Sequence, residues 1–215
     1  MRDDSEVAPE PTSVSWGEGT VVVLAGGASR RMGGKHKPEL ELASVSLLDR
    51  ALAGWPRDVD IVVVGPEMPT SRTVRWCRED PVGGGPTAAV AAAMAFVQSS
   101  WVALMAADTP FIAPGVEPLV RGAVSSIRSG GDGAWLVGAS GHPQPLASCV
   151  DCAALVSALP KDPSGAPLRR VLHSLSLRPV PARDEWLMDA DTPEDLLLAE
   201  RTLRGMAPDD PKEKL

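Results

Sequence analysis

Three cysteines, Cys77, Cys149 and Cys152, are all that the 215 residues contain. So low and odd a number fits a reducing compartment rather than a disulfide framework. Cys149 and Cys152 form a CxxC pair, yet a zinc site would need two further ligands from Cys77, His36, His142 and His173. The pair is read as two small apolar side chains around a strand-to-helix junction. Long hydrophobic runs are missing too: none reaches the roughly 20 residues of a membrane span. The opening Met1-Arg-Asp-Asp-Ser-Glu is acidic and has no apolar signal region, so a cytoplasmic location is expected. A basic excess is also absent. The net charge of −7 argues against a general nucleic-acid binder, which needs cations to displace counterions from phosphates. A small anionic ligand needs only a few, and Arg30, Arg31, Lys35 and Lys37 share one short stretch.

The remaining composition, 44% hydrophobic and 23% charged, is that of one sizeable globular domain. Residues 1–18 and 206–215, rich in Pro, Asp, Glu and Ser or Lys, are expected to be disordered tails around one domain at 19–205. Between the tails, apolar strands alternate with Ala/Leu-rich helical runs. Strands are expected at 20–24, 60–64, 73–76 and 101–106, and helices at 46–53, 86–97 and 115–127. Continuous rather than alternating apolar strands mark a parallel sheet covered on both faces, and the alternation gives a doubly wound α/β fold. Ligands of such sheets sit beyond the carboxyl ends of the strands, so the residues after Leu24, Val64, Trp76 and Ala106 are the candidates.

The first of those ends reads Leu24-Ala-Gly-Gly-Ala-Ser-Arg-Arg-Met-Gly-Gly-Lys-His-Lys37. Gly26 and Gly27 have no Cβ, so backbone amides can approach a phosphate closely. Arg31 offers a fork and Lys37 a point charge. A P-loop is excluded, because Ser29 stands where its first Gly belongs and His36 where its Ser/Thr belongs. The spacing of Gly26-Gly27 also excludes a dinucleotide fingerprint. The second end carries Glu79-Asp80-Pro-Val-Gly-Gly-Gly-Pro86, and the third Asp108-Thr-Pro-Phe-Ile112. A carboxylate closing a buried strand is costly without a compensating cation, which makes Asp108 the best metal ligand. For Asp80 the alternative is a turn cap.

The pattern L-A-G-G-x-S-x-R-M-G-x-x-K, carried by Leu24, Ala25, Gly26, Gly27, Ser29, Arg31, Met32, Gly33 and Lys37, resembles the signature of nucleotidyltransferases with a Rossmann-like GT-A fold. Among them it is most similar to the molybdenum-cofactor guanylyltransferases and their cytidylyltransferase relatives. Four further segments resemble theirs in the same order, over roughly residues 20–203: 80–86, 105–112, Gly141-His-Pro-Gln-Pro-Leu-Ala147, and Trp186-Leu-Met-Asp189-Ala-Asp191-Thr-Pro-Glu-Asp-Leu196. Two departures are visible. His36 stands where relatives have an acidic residue, and Asp189 and Asp191 stand where they have asparagines.

The resemblance implies a three-layer α/β fold with a mostly parallel central sheet. It implies transfer of a nucleoside monophosphate, GMP favoured, from an NTP to molybdopterin with loss of pyrophosphate. Arg31, Lys37 and Asp108 would be catalytic. Leu24, Ala25, Gly26, Gly27, Lys37, Asp80, Gly84 and Gly85 would bind the nucleotide. Asp108 and Asp189 would hold Mg²⁺, and Gln144 and Pro145 would face the acceptor. No nucleic-acid or membrane partner is implied, and contact with cofactor-biosynthesis or molybdoenzyme partners would be transient. Asp191, before Thr192-Pro193, is read as the start of the last helix. CTP in place of GTP, a sugar phosphate as acceptor, and a non-catalytic NTP-binding module remain open.

Overall fold

The computed structural model describes residues 15–26 and 37–206. In chain order the elements are β1 (Gly19–Leu24), the hairpin strands β2 (Glu41–Leu42) and β3 (Val45–Ser46), α1 (Leu47–Leu52), β4 (Asp60–Val64) and β5 (Arg75–Cys77). Then come α2 (Gly85–Met94), β6 (Trp101–Ala106), α3 (Ala113–Arg128), β7 (Gly133–Val137), β8 (Pro143–Asp151), α4 (Cys152–Ala158), α5 (Leu168–His173), β9 (Leu177–Pro181) and α6 (Pro193–Met206).

Seven strands form one sheet in the order β5-β4-β1-β6-β8-β7-β9. The first four run parallel, β8 is antiparallel to both β6 and β7, and β9 is parallel to β7. The continuous apolar strands supply both faces. Val21, Val23, Ile61, Val63, Ala103 and Met105 pack with Leu48 and Leu52 of α1 and Val116, Leu119, Val120 and Ala123 of α3. Their neighbours Val22, Val62, Val64, Val102 and Leu104 pack on the other face, with Ala89, Val90 and Ala93 of α2, Leu155 of α4, and Leu168, Val171 and Leu172 of α5. Each such Val, Leu or Ile side chain contributes about 1.5–3 kcal/mol on leaving water. The result is the expected three-layer, mostly parallel α/β fold.

The local signals act as read. Ser46 caps α1 by accepting from the Asp49 amide at 3.0 Å. Pro86 sits in the first turn of α2, where its missing N–H costs nothing. The helix ends at Met94 rather than at 97, because the chain turns at Phe96, whose amide donates to the Ala93 carbonyl. Trp16–Glu18, expected to belong to a tail, form a 3₁₀ turn, and Trp16 meets Trp55 edge-on at 6.1 Å. Cys149 ends up buried in β8 and Cys152 opens α4, where burial pushes both thiols up, Cys152 to about 11. No helix among the described residues is long and apolar enough to cross a membrane.

Candidate active site

The carboxyl ends of β1, β4 and β6 are locked together by backbone bonds beyond the strands. Ala25 donates to the Val64 carbonyl at 2.9 Å, and Ala107 donates to the Leu24 carbonyl at 3.1 Å. Gly65, after β4, lies so close to Ala25 that an added Cβ would stand 2.9 Å from the Ala25 carbonyl carbon. Only glycine fits there, and the packed turn holds Leu24 and Gly26 in place.

Two cavities open at this edge. The first, about 520 Å³, is lined by Leu24 and Gly26 after β1, Gly65 and Pro66 after β4, Arg78, Glu79, Val82 and Gly83 after β5, and Gly85, Pro86 and Ala89 at the start of α2. Gly85 takes φ +88° and has open space where a Cβ would point, so its backbone lies bare against the cavity. The second, about 370 Å³, is lined by Gln144, Pro145, Leu146 and Ala147 of β8, Leu168 and Arg169 of α5, and Asp189 and Asp191 before α6. Pro86, Ala106, Asp108 and Leu146 line both cavities. Asp108, at the end of the buried strand β6, therefore stands at their junction.

Around Asp108 the charges are mixed. The Lys37 ammonium donates to Asp108 Oδ2 at 2.5 Å and also to Asp191 Oδ1. Burial works against the lysine's charge, but the hydrogen bonds to the two carboxylates outweigh it and raise its pKa. Asp189 receives a weak bond of 3.4 Å from the Thr109 hydroxyl. Burial, then the Asp108 and Asp191 charges, push its carboxyl up to about 6. Among the described residues, Lys37 bonds to two of these three carboxylates, Asp108 and Asp191, with Asp189 beside them, an acidic grouping suited to a cation. No trio of His, Cys, Asp and Glu among the described residues could enclose a metal alone.

The structure brings together much of what the sequence suggested. Leu24, Gly26 and Gly85 line the first cavity, Gln144, Pro145 and Asp189 the second, and Asp108 both. Ala25 is buried beside them. Asp80 and Gly84 do not line either cavity: Asp80 is exposed, and Gly84 is buried, accepting from the Gly165 amide at 2.8 Å. Their neighbours Glu79, Gly83 and Gly85 take that wall. Arg31 and Gly27 lie outside the described residues.

One reading needs correction. Asp191 does not cap α6; Thr192 and Asp195 do, in a reciprocal pair with Thr192 N–H to Asp195 Oδ2 at 2.8 Å and Asp195 N–H to Thr192 Oγ1 at 3.1 Å. The Asp191 carboxylate is thereby available to Lys37. Arg78 and Arg169 were also missed, since neither belongs to a motif. Arg169 shows itself only by lining the same cavity as Gln144.

The model of the MobA-like NTP transferase domain matches residues 21–180. A molybdenum cofactor guanylyltransferase of Rhodopseudomonas palustris is 28% identical over 205 residues, covering 84% of this chain and 91% of that protein. One of Mesorhizobium japonicum is 36% identical over 100 residues, 42% of this chain, so that the match spans about half (48%) of its length. Among solved structures, the molybdopterin-guanine dinucleotide biosynthesis protein A of Archaeoglobus fulgidus superposes with a TM-score of 0.65 at 22% identity, over 87% of this chain and 100% of that one.

Proposed function

This chain belongs to the MobA-like NTP transferase family and is a nucleotidyltransferase; from that premise we propose that it transfers GMP from GTP to molybdopterin, releasing pyrophosphate. The observation that carries the reading is the meeting of two cavities at Asp108. One is large enough for a nucleoside and is walled by bare glycine backbone, and the other holds a polar strand end and an arginine.

In this reading an acceptor phosphate oxygen attacks the α-phosphorus in line. A new P–O bond forms as the bond to the bridging α–β oxygen breaks, and pyrophosphate departs with that electron pair. A phosphate monoester is already anionic near neutral pH, so no general base is required. The protein's contribution is position and charge. Leu24, Gly26 and Gly85, which line the first cavity, form the nucleotide side; Ala25, Gly27, Asp80 and Gly84 are assigned to it by the family pattern. Arg31 and Lys37 counter the charge of the triphosphate. Gln144, Pro145 and Arg169 form the acceptor side.

A divalent cation fits the donors present. Asp108 and Asp189 would offer hard oxygen donors on one cavity wall, and burial, with the Asp108 and Asp191 charges behind it, raises the Asp189 pKa in a way that a bound cation would offset. Two carboxylates completed by phosphate oxygens and water match the preference of Mg²⁺. When bound, it supplies Lewis-acid polarisation of the α-phosphate.

The test is to incubate the protein and Mg²⁺ with molybdopterin and each of the four NTPs. Pyrophosphate and the molybdopterin dinucleotide are then measured together. Stoichiometric release with GTP supports the reading. Release with CTP alone changes the nucleotide, and binding of NTPs without release by any of them overturns the reading.

A further inference from the structure

The first cavity holds a pair of charges that the transfer reaction does not use. Apart from Asp108, its ionisable lining residues among the described residues are Arg78 and Glu79, consecutive positions just past β5. Glu79 Oε1 accepts the Gly83 amide at 3.0 Å, and Gly83 itself lines the cavity, so the carboxylate is pinned at that wall. Beside it lies Val82, 68% exposed, the most open large hydrophobic side chain among the described residues. An exposed valine and two bare glycines next to a fixed carboxylate and a guanidinium make a surround for a flat ring with polar edges.

We propose that Glu79 and Arg78 are specificity-determining residues of this site, and that the base they select is guanine. The inference rests on the GMP-transfer reading and assigns residues to it. Its basis is the donor and acceptor pattern of the bases. Guanine alone among the four offers a carboxylate two adjacent donors, N1–H and the 2-amino group, and offers a guanidinium the acceptors O6 and N7 on the next edge. Cytosine presents its 4-amino donor next to the acceptor N3, and adenine its 6-amino donor next to N1. Uracil's single donor lies between two carbonyls. A carboxylate meeting any of these three gains one hydrogen bond and faces an acceptor beside it.

Equilibrium binding of GTP, ITP and CTP to the full chain with Mg²⁺, without acceptor, tests the assignment by calorimetry. ITP differs from GTP only in lacking the 2-amino group. The wild type should bind GTP at least about tenfold more tightly than ITP or CTP. Glu79→Gln keeps an oxygen for the Gly83 amide, so the turn holds, but it replaces the second acceptor with a donor. It should shrink the GTP/ITP ratio to below about threefold. Arg78→Ala should shrink the preference for GTP over 7-deaza-GTP, which replaces the acceptor N7 by C–H and leaves N1–H and the 2-amino group in place. A GTP/ITP ratio unchanged in Glu79→Gln, or tighter binding of CTP than of GTP by the wild type, overturns the assignment and leaves nucleotidyl transfer standing. Failure to bind any NTP overturns both.

Discussion

The backbone amide of Ala190 donates to the carbonyl oxygen of Asp108 at 3.0 Å. This single bond ties the segment before α6 to the end of β6, and Ala190 itself is fully buried with Leu42, Leu47, Phe111 and Ala199. The packed alanine between Asp189 and Asp191 is what delivers two more carboxylates to the neighbourhood of Asp108. Packing assembles the acidic cluster against the repulsion of like charges, and Lys37 compensates part of it.

Asp191→Asn separates the two jobs that the sequence left confounded at this position. Because Thr192 and Asp195 do the capping, and the Asp191 side chain is 65% exposed, stability should change by less than about 1 kcal/mol. Turnover should fall by about tenfold as Lys37 loses a carboxylate partner. A melting temperature that drops while turnover holds would contradict the geometry.

Lys37→Met should be more damaging than Asp191→Asn. It leaves Asp108, whose side chain is only 26% exposed, without its ion pair, and it removes a charge for the triphosphate. A loss of at least about 100-fold in kcat/KM for the NTP is expected. Lys37→Arg should restore little, because a planar fork does not replace a point charge held between two carboxylates. Steady-state kinetics on the three proteins checks both statements.

Asp49 is a stability element far from the chemistry. Its Oδ1 accepts from the Thr70 hydroxyl at 2.7 Å, the Ser71 amide at 2.9 Å and the Ser71 hydroxyl at 3.0 Å, fastening the loop after β4 to α1. Burial alone would raise its pKa, but these hydrogen bonds lower it below 3.8. A carboxylate with a lowered folded-state pKa stabilises above its unfolded value and loses that stabilisation as the pH falls through the folded one. Asp49→Ala should therefore cost about 1–2 kcal/mol at pH 7. The gap to the wild type should close as the pH drops below 3.8, which urea melts at several pH values will read.

Gly54→Ala tests the packing of α1 against α3. The new Cβ would stand 2.6 Å from Ala113 Cα and 2.8 Å from the Ala113 carbonyl oxygen, both backbone atoms that cannot rotate away. Overpacking of this kind costs about 1–3 kcal/mol. An unchanged denaturation midpoint would mean that α3 shifts freely.

The parallel part of the sheet was legible because Val21–Val23, Ile61–Val64 and Val102–Met105 are continuous apolar runs, a pattern that only two-sided burial rewards. Asp108 was legible for a related reason, as a carboxylate ending such a run. Asp191 was not: Asp-Thr-Pro is a good cap sequence, and only the reciprocal Thr192–Asp195 bonds reveal which residue fills the role. Glu79 and Arg169 were not legible either. Glu79 stands next to the motif aspartate, and its part depends on a hydrogen bond to Gly83. Arg169 reaches the site from α5, far along the chain, through packing that no local pattern encodes.

The central claim, that nucleotide and acceptor meet at Asp108, is tested most directly by Asp108→Asn. Formation of the molybdopterin dinucleotide would be followed under saturating GTP, Mg²⁺ and molybdopterin, with circular dichroism as the control for folding. The predicted result is a fall in turnover of at least about 1,000-fold with an unchanged spectrum. Turnover within a few-fold of the wild type would contradict the account.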